Sequence, residues 1–373
     1  MVTIKRVASR KDLKRFIHFH YDLNRSDHAF IGDLYRNQKN LLSTKVNPFF
    51  DHAEGCYFIA SRSKLIVGRI AVVHNRADKP EADKDCAQFG FFDSIDDHEV
   101  AQGLFDAGTE QAKDWGLSVL EGPENFSFND SLGVQVEGFN HSPYYEMPYN
   151  SPYYDQLIQG CGFKKSIDLF AYYIATMDFP ERLIQAKPIL VSRFAQRGIR
   201  IRNFDPNRFA QEVDAISDLY NRAWVSNQGF VPVSRNEFQF YFRKYKPFLD
   251  PDLIFVAEKE GRLIGFSLTL PNLNDVYTRL KRGKMPLLEL LRLGSLTRKI
   301  KTIRIVAIGI ENDFRRMGID SYFYIKTFEA AQQKGYLAGE ASRVLENNEM
   351  MNNAMAKMDA QLYKRYRLYR LAI

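Results

Sequence analysis

Residues 57–75 pass from an apolar run through a short charged turn into a second, alternating run, and residues 254–272 do so again. A period of two around a polar turn predicts a β-hairpin in each place. At a single offset of 197, Phe58, Ala60, Gly68 and Asn75 fall on Phe255, Ala257, Gly265 and Asn272. The same offset sets Ile4 on Ile201, each predicted to open its half with a short strand. It also relates residues 9–23 to 206–220, where the period changes to that of a helix. Leu13, Phe16 and Ile17 define the apolar face of the first, and Phe209, Val213 and Ile216 that of the second.

A second offset, 219, takes over further along. A helix ending at Asp114-Trp115-Gly116 with the strand 117–121 matches a helix ending at Gln333-Lys334-Gly335 with the strand 336–340. Glu121 then falls on Glu340 and Asn129 on Asn348, and the second half carries an insertion before its fourth strand. Each half reads β, α, a partly helical linker, a β-hairpin, β, α, β, α and a closing pair of strands. The pattern predicts two copies of one α/β unit with a mixed sheet, residues 1–185 and 186–373, joined near the prolines Pro180 and Pro188.

Composition narrows the function classes. At 373 residues, 45% apolar and 26% charged, the chain is long enough for two packed cores, which argues against a disordered, collagenous or disulfide-stapled protein. No run approaches the roughly 20 apolar residues of a membrane span. The opening residues lack the apolar centre of a secretory signal, so the expected location is the cytoplasm. The three cysteines, Cys56, Cys86 and Cys161, lack metal-type spacing and read as reduced thiols. All seven histidines precede residue 142, and neither His nor Cys occurs from residue 162 onward. An active site built from the second copy alone therefore works without imidazole bases, thiolate nucleophiles or a His/Cys metal site.

This order of elements resembles the GNAT fold of acyl-CoA N-acyltransferases, here in tandem. The sharpest likeness comes after the strand 303–310, where Glu311-Asn-Asp-Phe-Arg-Arg-Met-Gly-Ile-Asp320 opens a helix. It is similar to the pyrophosphate loop of that family, with Arg315 first, Gly318 as the central glycine and Asp320 where a small residue is usual. Independently of kinship, a helix start presents unpaired N–H groups and a positive dipole end to an anion. The resemblance implies acyl-CoA contacts from Ile308, Ile310, Arg315, Arg316, Gly318 and Asn348. The co-substrate would be acetyl-CoA or a longer acyl-CoA, with no metal. The matching stretch of the first copy, residues 91–99, holds four carboxylates and no arginine. That copy is expected to be degenerate at the loop and to serve as scaffold or substrate wall.

Acyl transfer to an amine needs a group to take the amine proton and one to protonate the leaving thiolate. Leu362-Tyr363-Lys364-Arg365-Tyr366 resembles the segment in which the family places its acid tyrosine, which makes Tyr363 the candidate acid. Glu340 and Glu311, both at expected strand ends, are candidate bases. In the first copy, the polar and aromatic stretches 121–133 and 147–154 nominate Glu121, Asn129 and Tyr149 as acceptor contacts.

The insertion, residues 279–301, carries eight basic residues and one acid, Glu289. Pro286 suits a helix start, and Leu287, Leu290, Leu291 and Leu293 would form one apolar side. A basic amphipathic helix of this kind fits either contact with the inner face of a membrane or packing on its own domain. With a formal charge of +7, the leading expectation is an acyl-CoA-dependent N-acyltransferase with a small-molecule or lipid amine acceptor and no DNA partner. An aminoacyl-tRNA-dependent transferase and a non-catalytic acyl-CoA- or lipid-binding protein are the alternatives.

Overall fold

The computed structural model describes residues 1–77, 85–126, 130–224 and 230–373. Contacts divide the chain into two compact units. The first holds Met1–Phe170, Tyr277–Leu293 and Lys364–Ile373; the second holds Ala171–Val276 and Gly294–Tyr363. The position expected to separate the copies, 185/186, lies between the helices Glu181–Gln185 and Lys187–Gln196. Two segments from the later half of the sequence thus complete the first unit.

The strands are β1 (Thr3–Arg6), β2 (Ala53–Arg62), β3 (Leu65–Asn75), β4 (Cys86–Ser94), β5 (Val119–Gly122), β6 (Val134–Glu137), β7 (Lys164–Ala175), β8 (Ile199–Asn203), β9 (Ile254–Lys259), β10 (Arg262–Pro271), β11 (Thr302–Ile310), β12 (Ala338–Leu345) and β13 (Gln361–Ala372). In the first unit the strands lie in the order β1-β2-β3-β4-β5-β13, with β6 also paired to β13. In the second, β12-β11-β10-β9-β8 are neighbours in that order. Both units mix antiparallel hairpins with a parallel pair, β4 with β5 and β11 with β12.

The duplication holds at the level of register. Ile4 faces Ala60 and Ile201 faces Ala257; Ala60 faces Gly68 and Ala257 faces Gly265. Gln88 lies opposite Glu121, and Arg304 opposite Glu340. Each copy also carries a bulge between its third and fourth strands. Because a one-residue slip would turn every side chain to the wrong face, shared register means shared cores. Gly68 and Gly265 mark the same crossing: the helix His98–Asp114 brings Leu104 and Val100 over Gly68, and the helix Ile319–Gln333 brings Ile319 and Phe323 over Gly265.

The expected helices form where their apolar faces find a sheet. Arg10–Leu23 buries Phe16 and Ile17, and Phe209–Trp224 buries Val213, Ile216 and Leu219. In the first unit one core gathers Phe58, Phe89, Leu104, Phe105 and Phe163, and another gathers Phe16, Tyr57, Phe91 and Phe126. The insertion departs from expectation: its leucines do not make one helix but two short ones, Leu287–Leu291 and Leu293–Thr297, broken at Arg292. Among the described residues, no helix is long and apolar enough to cross a membrane.

Candidate active site

β11 and β12 pair over residues 302–305 and 338–341 only. β11 continues to Ile310 and β12 to Leu345 with no further rung between them among the described residues. Val306 is the extra residue of a bulge, skipped between the Leu268–Ala307 and Thr269–Ile305 pairs. A bulge bends its strand and re-aims the residues beyond it, and this one falls where the ladder ends. Burial changes there too: Ile303 to Ile305 are buried, whereas Val306, Ala307 and Ile308 are half-buried. The strands therefore part on their C-terminal side, leaving β11 backbone open on one edge.

Glu340 sits one rung before this parting and is fully buried. It is the third residue of β12 rather than the last of its strand as expected. Its Oε2 accepts the phenolic hydrogen of Tyr363, the third residue of β13. Oε1 is buried and accepts no hydrogen bond among the described residues. Tyr173 packs edge-on against Tyr363 at 5.9 Å between centroids, and the neighbouring Tyr172 hydroxyl donates to Asn352 Oδ1 at 2.9 Å. A buried carboxylate oxygen lacking a donor is costly, and here it can accept one more hydrogen bond, such as that of an incoming amine.

Glu311, the other candidate base, is placed differently. Arg222 Nε donates to its Oε1 at 3.0 Å and Arg262 Nη2 to its Oε2 at 2.8 Å. Both oxygens serve as anchors between elements, pinning the end of β11 to β10 and to the helix Phe209–Trp224.

The loop after β11 makes a short 3₁₀ turn, Asn312–Phe314, and reaches Gly318 at φ 88°, the N-cap of the helix Ile319–Gln333. No side chain caps this helix, and the amides of an uncapped first turn can receive an anion. Glycine is required twice over, by the positive φ and because an added Cβ would lie 2.5 Å from Leu190 Cδ2. Arg315 does not reach out as a phosphate clamp: its Nη2 donates to Ala223 O at 2.7 Å and its Nε to Ile310 O at 3.3 Å. Arg316, at φ 60°, is exposed. Arg193, from the helix Lys187–Gln196, donates to Met317 O at 3.3 Å and adds a cation at the loop. Asp320 is one turn before Tyr324, whose hydroxyl is pushed far up by burial and then by the Asp320 charge.

Other candidates have local roles. Asn348 is the N-cap of the helix Glu349–Lys357, its side chain accepting from Met351 N at 3.1 Å. Ile308 lies opposite Ser267 and Ile310 opposite Gly265 in the β10–β11 ladder. In the first unit Glu121 accepts from Ser166 and meets Arg370 at 3.5 Å. Tyr149 donates to Asp27. Asn129 lies outside the described residues. The helix His98–Asp114 is capped by Asp97, which accepts from Val100 N at 3.3 Å and pairs with Arg62 at 2.8 Å. Glu99 accepts from Val2 N at 3.2 Å. Two carboxylates therefore occupy the amide end that is open in the second copy.

Sequence reasoning missed Leu190 and Arg193, which read as linker, and the Arg222 and Arg262 anchors of Glu311. It also missed Tyr173. The apolar spacing of Leu190 and Phe194 was the one signal available for the first of these.

Solved structures share this architecture. A tandem GNAT protein from the clavulanic acid biosynthesis pathway superposes with a TM-score of 0.56 at 10% identity, covering 100% of this chain and 98% of that one. A GCN5-related N-acetyltransferase from Sphaerobacter thermophilus gives 0.51 at 12% identity, covering 100% and 95%. No protein-family model matches the chain. Bacterial ceramide synthase from Caulobacter vibrioides is 32% identical over 374 residues, covering 98% of this chain and 96% of that protein. The chain is a tandem GNAT N-acyltransferase of the same family. Protein YghO of Escherichia coli is a further full-length relative, 30% identical over 98% of this chain and 94% of its own. As a member of this group the tandem GNAT protein is an acyl-CoA-dependent N-acyltransferase.

Proposed function

We propose that this enzyme moves a fatty acyl group from acyl-CoA directly onto the primary amine of a long-chain lipid of the sphingoid-base class. The observation that carries the mechanism is the hydrogen bond from Tyr363 to Glu340 at the parting of β11 and β12. In this reading the first-turn amides beyond Gly318, with Arg316 and Arg193 nearby, hold the pyrophosphate of the donor, and Arg315 shapes the loop. The thioester carbonyl lies along the open edge of β11, where backbone N–H groups can stabilise the oxyanion. The amine donates to the open oxygen of Glu340, attacks the carbonyl carbon, and passes its proton to that carboxylate. The C–S bond breaks as Tyr363 gives its proton to sulfur. The Glu340 carboxyl then turns to present that proton to the tyrosinate, which takes it back. In sum the amine has lost one proton, the thiol of CoA has gained the one from Tyr363, and both side chains are restored.

Support for the lipid acceptor comes from the ceramide synthase relative, since a ceramide is the fatty amide of a sphingoid base. The capped, carboxylate-bearing helix start of the first copy supports its role as scaffold, with acyl-CoA taken by the second. The test supplies a long-chain acyl-CoA with a sphingoid base or with a short soluble amine, and monitors thiol release and product mass. The expected product is the long-chain amide; amide formed from the soluble amine alone would overturn the lipid assignment.

A further inference from the structure

Residues 277–293, which include the first part of the insertion, belong to the first unit and are pinned to it at their base. Tyr35 N donates to Gly283 O at 2.8 Å, and Arg282 pairs with Asp22 at 2.5 Å. Gly283 has φ 73°, and a Cβ there would lie 2.6 Å from Tyr21 Oη. Beyond this footing, the helix Leu287–Leu291 holds Leu287, Leu288 and Leu291 out at 74%, 57% and 78% exposure. Three large apolar side chains on so short a helix are not a stable solvent face, and such patches mark contact sites.

The same unit carries exposed cations on this segment and on the helix Arg10–Leu23. Lys281, Lys284, Arg292 and Lys14 are exposed. Burial, then Arg282, with Lys14 and Lys284, holds the His18 imidazole below its ordinary range, so these charges share one neighbourhood. The acid of the segment, Glu289, is paired with Arg279 at 3.3 Å. We infer that this leucine-tipped, basic segment docks the protein on the anionic face of a lipid bilayer. Leucines enter the acyl boundary while lysines and arginines meet lipid phosphates. A second copy of the chain would oppose its own cations to these, which disfavours self-association through the same face. The inference stands apart from the acceptor assignment, since an enzyme acting on a soluble amine would still bind vesicles.

The test sediments the full chain with phosphatidylcholine vesicles and with vesicles that also contain phosphatidylglycerol. The wild type is expected to pellet with the anionic vesicles and to be released by salt. Leu287→Gln, Leu288→Gln and Leu291→Gln together should weaken partition by about tenfold or more. Lys281→Glu with Lys284→Glu should remove the preference for anionic lipid. Both variants change exposed residues, so unchanged far-ultraviolet circular dichroism and melting certify the fold. A wild type that stays in solution, or variants that pellet equally well, would overturn the inference. So would a wild type that scatters light as a dimer while the leucine variant is a monomer, because the patch would then belong to a second copy.

Discussion

Tyr363 and Glu340 are joined by one hydrogen bond from phenol to buried carboxylate. Acid and base of the proposed transfer are therefore in direct contact. Removing either should do most of the damage. Tyr363→Phe and Glu340→Gln are each expected to lower kcat by about 10²–10⁴-fold with little change in acyl-CoA affinity. The double variant should be scarcely slower than the worse single one. Steady-state kinetics with acyl-CoA binding by calorimetry provides the check, and multiplicative losses would mean that the two act independently.

Gly318 makes a separable prediction. Alanine there must adopt φ near 88° and meet Leu190, a strain of about 1–3 kcal/mol. Gly318→Ala should raise KM for acyl-CoA and lower its affinity in calorimetry while leaving kcat much less affected.

The two loop arginines should part company. Arg315 is tied to the carbonyls of Ala223 and Ile310, so Arg315→Met is expected to lower Tm by a few degrees, the equivalent of about 1–3 kcal/mol for hydrogen bonds to a charged group. Arg316 is exposed, so Arg316→Glu should weaken acyl-CoA binding with Tm unchanged. Parallel melting curves and titrations distinguish the two.

Asp93 gives the pH dependence. Arg69 Nε donates to it at 2.6 Å, and His20 Nδ1 lies 3.0 Å away. Burial alone would raise its pKa, but Arg69 and then His20 outweigh that and hold the carboxyl below its usual value. A depressed carboxylate contributes stability that is present above its unfolded pKa, about 3.9, and is lost as pH falls through the lower folded value. Acid unfolding should thus steepen below about pH 4. Arg69→Met, which leaves Asp93 buried without its guanidinium partner, should cost about 3–5 kcal/mol at neutral pH, measured by denaturant unfolding.

Much of this architecture was legible because both copies write the same alternation. Phe58 and Phe255 sit at one register position, and Gly68 and Gly265 under matching helices, as the 197 offset implied. The Gly318 turn was legible from glycine and charge together. What Arg315 touches was not, since sequence gives a cation but not the carbonyls it meets. The insertion misled for a related reason: leucine spacing described one helix, yet the chain breaks at Arg292. Nor does a period of two name a partner strand, so nothing in residues 364–373 announced that they would pair with β5 and β6.

The most direct test of the central claim is a single turnover, with enzyme in excess of long-chain acyl-CoA and amine present, quenched and read by mass spectrometry. One N-acyl amide should form for each CoA released, with no acylated protein, and Glu340→Gln should bind the donor yet form almost none. Amide made at the wild-type rate by Glu340→Gln, or CoA released while the amine is withheld, would contradict it.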